Sequence, residues 1–301
     1  MIKIAYHNCY QHPLPEGHRF PMLKYELIPK QLLHQGIITP ENLIEPTPCP
    51  DEIVLLTHDA DYLAQLKNCT LPQSHIRRIG FPLSTELVLR ELMIAQGTID
   101  CALWALESGV SLNVAGGTHH AFSNKGEGFC LLNDMAIAAN YLLHKRLATR
   151  ILIIDLDVHQ GNGTAQIFED NNSVFTFSMH GKNNYPFHKE KSNLDIELAD
   201  GTTGNEYLAL LTQHLSGIIQ THQPNFIFYL SGVDVLETDK LGKLKLTQED
   251  CILRDQYIFT TCKNAKIPVA VAMGGGYSPR VSDIVNAHCN TFTEAQKLFF
   301  E

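Results

Sequence analysis

Residues 151–168 read ILIIDLDVHQGNGTAQIF. The stretch opens with aliphatic residues, Ile151 to Ile154, and turns polar at Asp155 and Asp157. An apolar run without alternation suits a strand buried on both faces of a parallel sheet. Comparable runs occur at Ile2–Tyr6, Ile53–Leu56, Leu112–Ala115, Val174–Ser178, Phe226–Leu230 and Val269–Met273. Between them lie helical patterns at roughly Met22–His34, Thr85–Glu107, Asp134–Lys145, Asn205–Thr221, Gln248–Lys263 and Pro279–Phe299. The alternation of strand and helix predicts an α/β fold with one mostly parallel sheet flanked by helices. Pro40–Pro50 reads as an ordinary loop, and no repeat, low-complexity tract or linker is visible. Residues 1–301 therefore read as a single domain.

Composition narrows the function. Apolar residues make up 44% of the 301 residues and charged ones 18%, enough for a sizeable core. The formal charge of −9 gives no electrostatic footprint for nucleic acid or an anionic membrane, and favours cationic substrates instead. The eight cysteines form no C-x-x-C pair and read as free, mostly buried thiols in a reducing compartment. MIKIAYHNCYQHPLP at the N-terminus lacks the basic and apolar regions of a secretory signal, and no apolar run is long enough for a membrane span. A cytoplasmic location is the expectation.

In open parallel sheets, ligands bind beyond the carboxyl ends of the strands. Five such ends deliver His119, His120, Asp155, Asp157, His159, His180, Asp234 and Tyr277. Residues two apart in an extended chain project to one side, so Asp155, Asp157 and His159 can converge on a cation. An isolated D-x-D-x-H also serves as a helix cap or solvated turn. Two acids closing an aliphatic run are costly unless paired or metal-bound, which favours the metal. With Asp234 as a third ligand, the set leaves room for water, as a catalytic zinc requires. Two oxygens and one nitrogen equally suit Fe(II) or Mn(II). Gly161-Asn162-Gly163 brakes the loop and can take positive φ. The adjacent His119 and His120 suit proton transfer, and Tyr277 after Gly274-Gly275-Gly276 can donate to an oxyanion. Alone, the histidine pair reads equally as surface residues and the triple glycine as a flexible loop.

Four segments jointly resemble the zinc-dependent histone deacetylase family, in its order and across most of the chain. They are GGTHHAFSNKGEGFCLLND (116–134), ILIIDLDVHQGNGTAQIF (151–168), SGVDVLETDKLGKL (231–244) and GGGYS (274–278). HQGNG, the Tyr185-Pro186 step and the DxLGxL pattern are most similar to the class IV branch and to bacterial deacetylase-like proteins. The resemblance implies the arginase/deacetylase fold and a zinc-dependent deacylase acting on N-acyl-lysine in proteins, with Fe2+ as a possible metal and a structural K+ or Na+. It implies Asp157, His159 and Asp234 as metal ligands, His119 and His120 as the acid/base pair, and Tyr277 as the oxyanion donor. Asp155 would support His119 and the monovalent cation, to which Ser178 is close. Gly128 would offer its carbonyl to the substrate amide, while Phe129, Tyr185 and Leu241 line the channel. The class IV likeness tilts the acyl group toward longer chains. Asn162 stands where many class I members have Asp, which leaves open which histidine is base and which acid.

Three rivals remain. An acetylpolyamine or other small-molecule amidohydrolase fits the same chemistry. An arginase-like ureohydrolase would need more carboxylates, for two manganese ions. A non-catalytic acyl-lysine-binding protein would not need an intact His pair and Tyr277.

Overall fold

The computed structural model describes residues 1–301. Eight parallel strands form one sheet: β1 (Ile4–Ala5), β2 (Leu43–Ile44), β3 (Val110–Asn113), β4 (Ile151–Asp155), β5 (Val174–Gly181), β6 (Leu194–Leu198), β7 (Phe226–Leu230) and β8 (Val269–Ala272). Their order is β2-β1-β3-β8-β7-β4-β5-β6. Every residue of β3, β4, β7 and β8 is buried, as their unalternating sequences require. One apolar cluster of 82 buried residues runs through the whole chain, so sheet and helices share a single core.

Ten α-helices accompany the sheet, in chain order α1 (Lys24–His34), α2 (Asp51–Val54), α3 (Ala60–Lys67), α4 (Gln73–Ile79), α5 (Thr85–Ser108), α6 (Asp134–His144), α7 (Asn162–Ile167), α8 (Gly204–His222), α9 (Gln248–Ala265) and α10 (Val281–Phe300). Local chemistry starts them. Ser84 caps α5 by accepting from Leu87 N–H, Asn133 caps α6 by accepting from Ala136 N–H, and Thr247 with Asp250 forms a capping box on α9. Helix α5 packs on β3 and β8 and pairs with α6, while α10 pairs with α9 and α1. No helix is long and apolar enough to cross a membrane.

The fold departs from the sequence-based expectation in several places. Ile53–Leu56 is not a strand; its first two residues end α2, with Pro50 as N-cap and Asp51 and Glu52 in the first turn. An apolar run of that length carries no decisive period, and the proline and acids before it are the stronger, helix-starting signal. Strand β2 arises inside the Pro40–Pro50 loop, and β6 at Leu194–Leu198 went unpredicted. Both are edge strands, too short or too exposed to leave an apolar signature. Gly161 and Gly163 do not use positive φ. They are small for space, since a Cβ on Gly161 would lie 2.2 Å from Asp155 Oδ2 and one on Gly163 2.3 Å from the Ala121 carbonyl oxygen.

A buried ion pair sits behind the site. Arg254 donates to Asp255 Oδ1 at 2.9 Å and to the Gly232 carbonyl at 2.6 Å, while Tyr229 and Thr291 donate to the same carboxylate at 2.5 and 2.7 Å. Replacing Asp255 with Ala leaves a buried guanidinium uncompensated. The expected loss is roughly 3–5 kcal/mol of stability, read as a lower midpoint in urea unfolding.

Candidate active site

Four contiguous central strands, β3-β8-β7-β4, deliver the candidate side chains at their carboxyl ends. The loop after β3 carries His119 and His120, the one after β4 carries Asp157 and His159, that after β7 carries Asp234, and that after β8 carries Tyr277. His180 is the exception among the residues grouped from sequence. It ends β5, one strand further out, and its Nδ1 lies 2.9 Å from Ser178 Oγ and 3.9 Å from Asp195 Oδ1, away from the cleft.

Asp157, His159 and Asp234 are buried and each offers a ligand atom within 4.8 Å of the others. His159 Nδ1 lies 3.0 Å from Asp157 Oδ1 and 3.1 Å from Asp234 Oδ2. Main-chain donors fix both carboxylates: Val158 N–H to Asp234 Oδ1 at 2.9 Å, His159 N–H to Asp157 Oδ1 at 2.9 Å, and Gly275 N–H to Asp157 Oδ2 at 2.7 Å. Burial and the neighbouring Asp157 charge push Asp234 up to about 7. Burial opposes the charged form of His159, but the two carboxylates outweigh it and hold the ring up at about 10. Two facing buried carboxylates call for a cation, and two oxygens with one nitrogen fit a divalent metal with an open coordination position.

The histidine pair is held asymmetrically. His119 Nδ1 meets Asp155 Oδ2 at 2.7 Å, whereas His120 Nδ1 meets the amide oxygen of Asn162 at 2.7 Å. Burial disfavours charge on both rings. At His119 the Asp155 and Asp157 carboxylates reverse that and hold it up at about 9. At His120 burial is reinforced by the charges of His119 and His159, and its basicity falls well below the ordinary imidazole value.

Tyr277 lines the cleft beside His159, with 6.4 Å between ring centroids. Burial and the Asp157 and Asp234 charges keep its phenol protonated, well above the usual tyrosine range. Asp239 tethers it, accepting from Tyr277 N–H at 2.6 Å and from the Leu241 and Gly242 amides at 2.8 and 2.9 Å. Sequence reading did not single out Asp239, although the DxLGxL pattern that contains it was the available signal.

A cleft of about 420 Å³ leads from the surface to His120, His159 and Tyr277, lined by Phe129, Tyr185, Phe187 and Leu241 among others. Gly128 also lines it, with φ at +57°, and a Cβ there would meet His120 Cδ2 at 2.6 Å. The mouth carries Arg19, Arg78 and Lys243 and no carboxylate. Net charge is thus no guide to this lining, although the Glu127 carboxylate stands beside Tyr185. A second cavity, of about 40 Å³, shares Phe129, His159 and Tyr277 with the cleft and also touches Asp157, Cys130 and Gly275. Asp155 and Ser178 are register partners across β4 and β5. His7 and His18 serve locally: His7 Nδ1 accepts from Cys9 N–H, and His18 bridges Phe20 N–H and the Gly80 carbonyl.

Carboxylates and imidazoles thus gather at the carboxyl edge of the parallel sheet. The family model described as "Histone deacetylase domain" matches residues 18–292. The chain is 46% identical over 286 residues to an uncharacterized protein of Picosynechococcus, covering 95% of each. It is 30% identical to Histone deacetylase 2 of Arabidopsis thaliana, over 86% of this chain and 70% of that one. An HDAC homolog from Aquifex aeolicus shares the fold, with a TM-score of 0.84 at 24% identity over 98% of this chain and 84% of that one. The chain belongs to the histone deacetylase family. Membership carries deacetylase activity in general terms and a catalytic divalent metal, usually zinc.

Proposed function

We propose that this chain hydrolyses the amide of N-acetyl-lysine in proteins or peptides. The observation that carries the reading is the convergence, in one cleft, of the buried Asp157–His159–Asp234 triad, a differently held histidine pair and Tyr277. Asp157, His159 and Asp234 would hold Zn2+, with Fe2+ the alternative. When bound, the metal polarises an acyl carbonyl and lowers the pKa of a water.

The chain's own residues do the rest. The lysine stem lies along Phe129 and Tyr185, with Leu241 at the rim and the Gly128 carbonyl near the amide. His120, held by a neutral amide, takes the proton of the attacking water, while His119, held by Asp155, contributes positive charge beside it. Tyr277 donates its hydroxyl hydrogen to the carbonyl oxygen as that oxygen gains charge. The histidine pair then returns a proton to the leaving amine. A structural K+ or Na+ beside Asp155 and Ser178 belongs to the same reading.

Two features narrow the substrate. The cavity of about 40 Å³ against Asp157 and His159 is small, which supports an acetyl group over a long fatty chain, since a single water already needs roughly 10–15 Å³ by the same kind of measure. That weighs against the tilt toward longer acyl groups. The basic mouth repels a polyamine, which weighs against the acetylpolyamine alternative.

The test is a panel of acetyl-, butyryl-, octanoyl- and myristoyl-lysine peptides with acetylated polyamines, before and after chelation and zinc repletion. Acetyl-lysine peptide is expected to be cleaved fastest, with activity lost to chelator and restored by metal. Preference for myristoyl-lysine would reject the acyl-size argument, and preference for acetylspermidine the charge argument. No turnover by metal-loaded protein would reject the hydrolase assignment of this site.

A further inference from the structure

Asn162 leaves His120 without a carboxylate partner of its own, yet a carboxylate stands directly behind the amide. Asn162 Nδ2 donates to Glu127 Oε1 at 2.6 Å, while Asn162 Oδ1 faces His120 Nδ1 at 2.7 Å. His120 and Asn162 are buried, and Glu127 is half-buried. Glu127 is itself anchored, because its carbonyl accepts from Cys130 N–H at 3.0 Å in the turn that carries Gly128 and Phe129.

Donor and acceptor inventory makes this chain directional. An ionised carboxylate only accepts, so the Asn162 group facing Glu127 must be the NH2. The amide oxygen is then forced toward His120, and the nitrogen it meets must carry a hydrogen. That fixes the proton of neutral His120 on Nδ1 and leaves Nε2 bare. An asparagine without a carboxylate behind it has no such preference, since its oxygen and nitrogen ends are nearly the same shape.

We propose that Glu127 is a positioning residue that fixes the Nδ1–H tautomer of His120 through Asn162, keeping Nε2 available as the proton acceptor. The kinetic part rests on the deacetylase reading above; the tautomer itself does not.

Two variants and a spectrum test it. Glu127→Gln keeps the shape but lets either end of the new amide face Asn162. It is expected to lower kcat roughly tenfold, a fraction of the ~10²–10⁴ that a positioned base contributes, with KM unchanged. In an N162D background the sign should invert. There two carboxylates oppose each other, and Glu127→Gln supplies a donor in place of a like charge, so kcat should rise. Proton–nitrogen correlation spectra of ¹⁵N-histidine-labelled, zinc-loaded protein, with His120 assigned by a His120→Ala comparison, should give a single Nδ1–H form in the parent and a mixture in Glu127→Gln.

Unchanged kcat with an unchanged spectrum would overturn the proposal. So would an equal loss in both backgrounds, which would mean that Glu127 acts on something other than Asn162. If the parent turns over no acyl substrate, the deacetylase reading fails and the spectrum alone decides the tautomer.

Discussion

Replacing Tyr277 with Phe is expected to cut kcat by about 10²–10³-fold while leaving metal content and the unfolding midpoint unchanged. The phenol ring keeps its packing against Phe20 and Phe129, with centroids 5.9 and 6.2 Å away. Its main-chain tether to Asp239 does not involve the hydroxyl. Only the donor aimed into the cleft is removed. Because a donor to a developing oxyanion acts mainly in the transition state, the loss should fall on kcat and kcat/KM alike, with KM little changed. Metal analysis and steady-state kinetics on the same preparation check this. Turnover equal to the parent would remove Tyr277 from the reaction.

Adding one methyl group should disable the metal site. A Cβ on Gly275 would stand 2.0 Å from Asp234 Oδ2 and 2.8 Å from Asp157 Oδ2. Both carboxylates are pinned by main-chain donors, and one of those donors is the Gly275 amide itself. Neither can retreat without losing a hydrogen bond. Gly275→Ala is therefore expected to weaken metal binding by at least the roughly 10–100-fold seen when groups supporting metal ligands are altered, with activity falling in step. Competition with a chromophoric chelator measures the affinity. A variant that binds metal as tightly as the parent would mean that the two carboxylates are not the ligands.

What could be read from the chain tracks what neighbours in sequence can decide. The apolar runs of β4, β7 and β8 announce themselves because burial on both faces leaves no polar alternation. Edges are different: Leu43–Ile44 is too short to show a pattern, and Leu194–Leu198 mixes Asp195 and Glu197 with aliphatics. The D-x-D-x-H segment, the histidine pair and Tyr277 could be named because local spacing and family resemblance both point at them. Of their supports, Asp155 and Asn162 could be named by resemblance, but Glu127 and Asp239 could not, because these pair with residues far apart in the chain. Glu127 reaches Asn162 across 35 positions, and Asp239 reaches Tyr277 across 38. His180 was grouped with the others because sequence gives strand ends but not strand order, and one step outward along the sheet is enough to remove it.

The strand order also sets when this protein can acquire its metal. β3 and β4 are made early, yet they are not neighbours; the gap between them is filled by β8 and β7, the last strands synthesised. Until residues 226–272 are threaded into the middle of the sheet, Asp157 and His159 have neither Asp234 nor the Gly275 amide beside them. Once β6 is made, the growing chain carries two incomplete half-sheets until β7 and β8 follow, joined only by contacts distant in sequence, which form slowly. A metal held by Asp157, His159 and Asp234 would act as a seal on the completed molecule, closing only over a sheet whose centre has been filled.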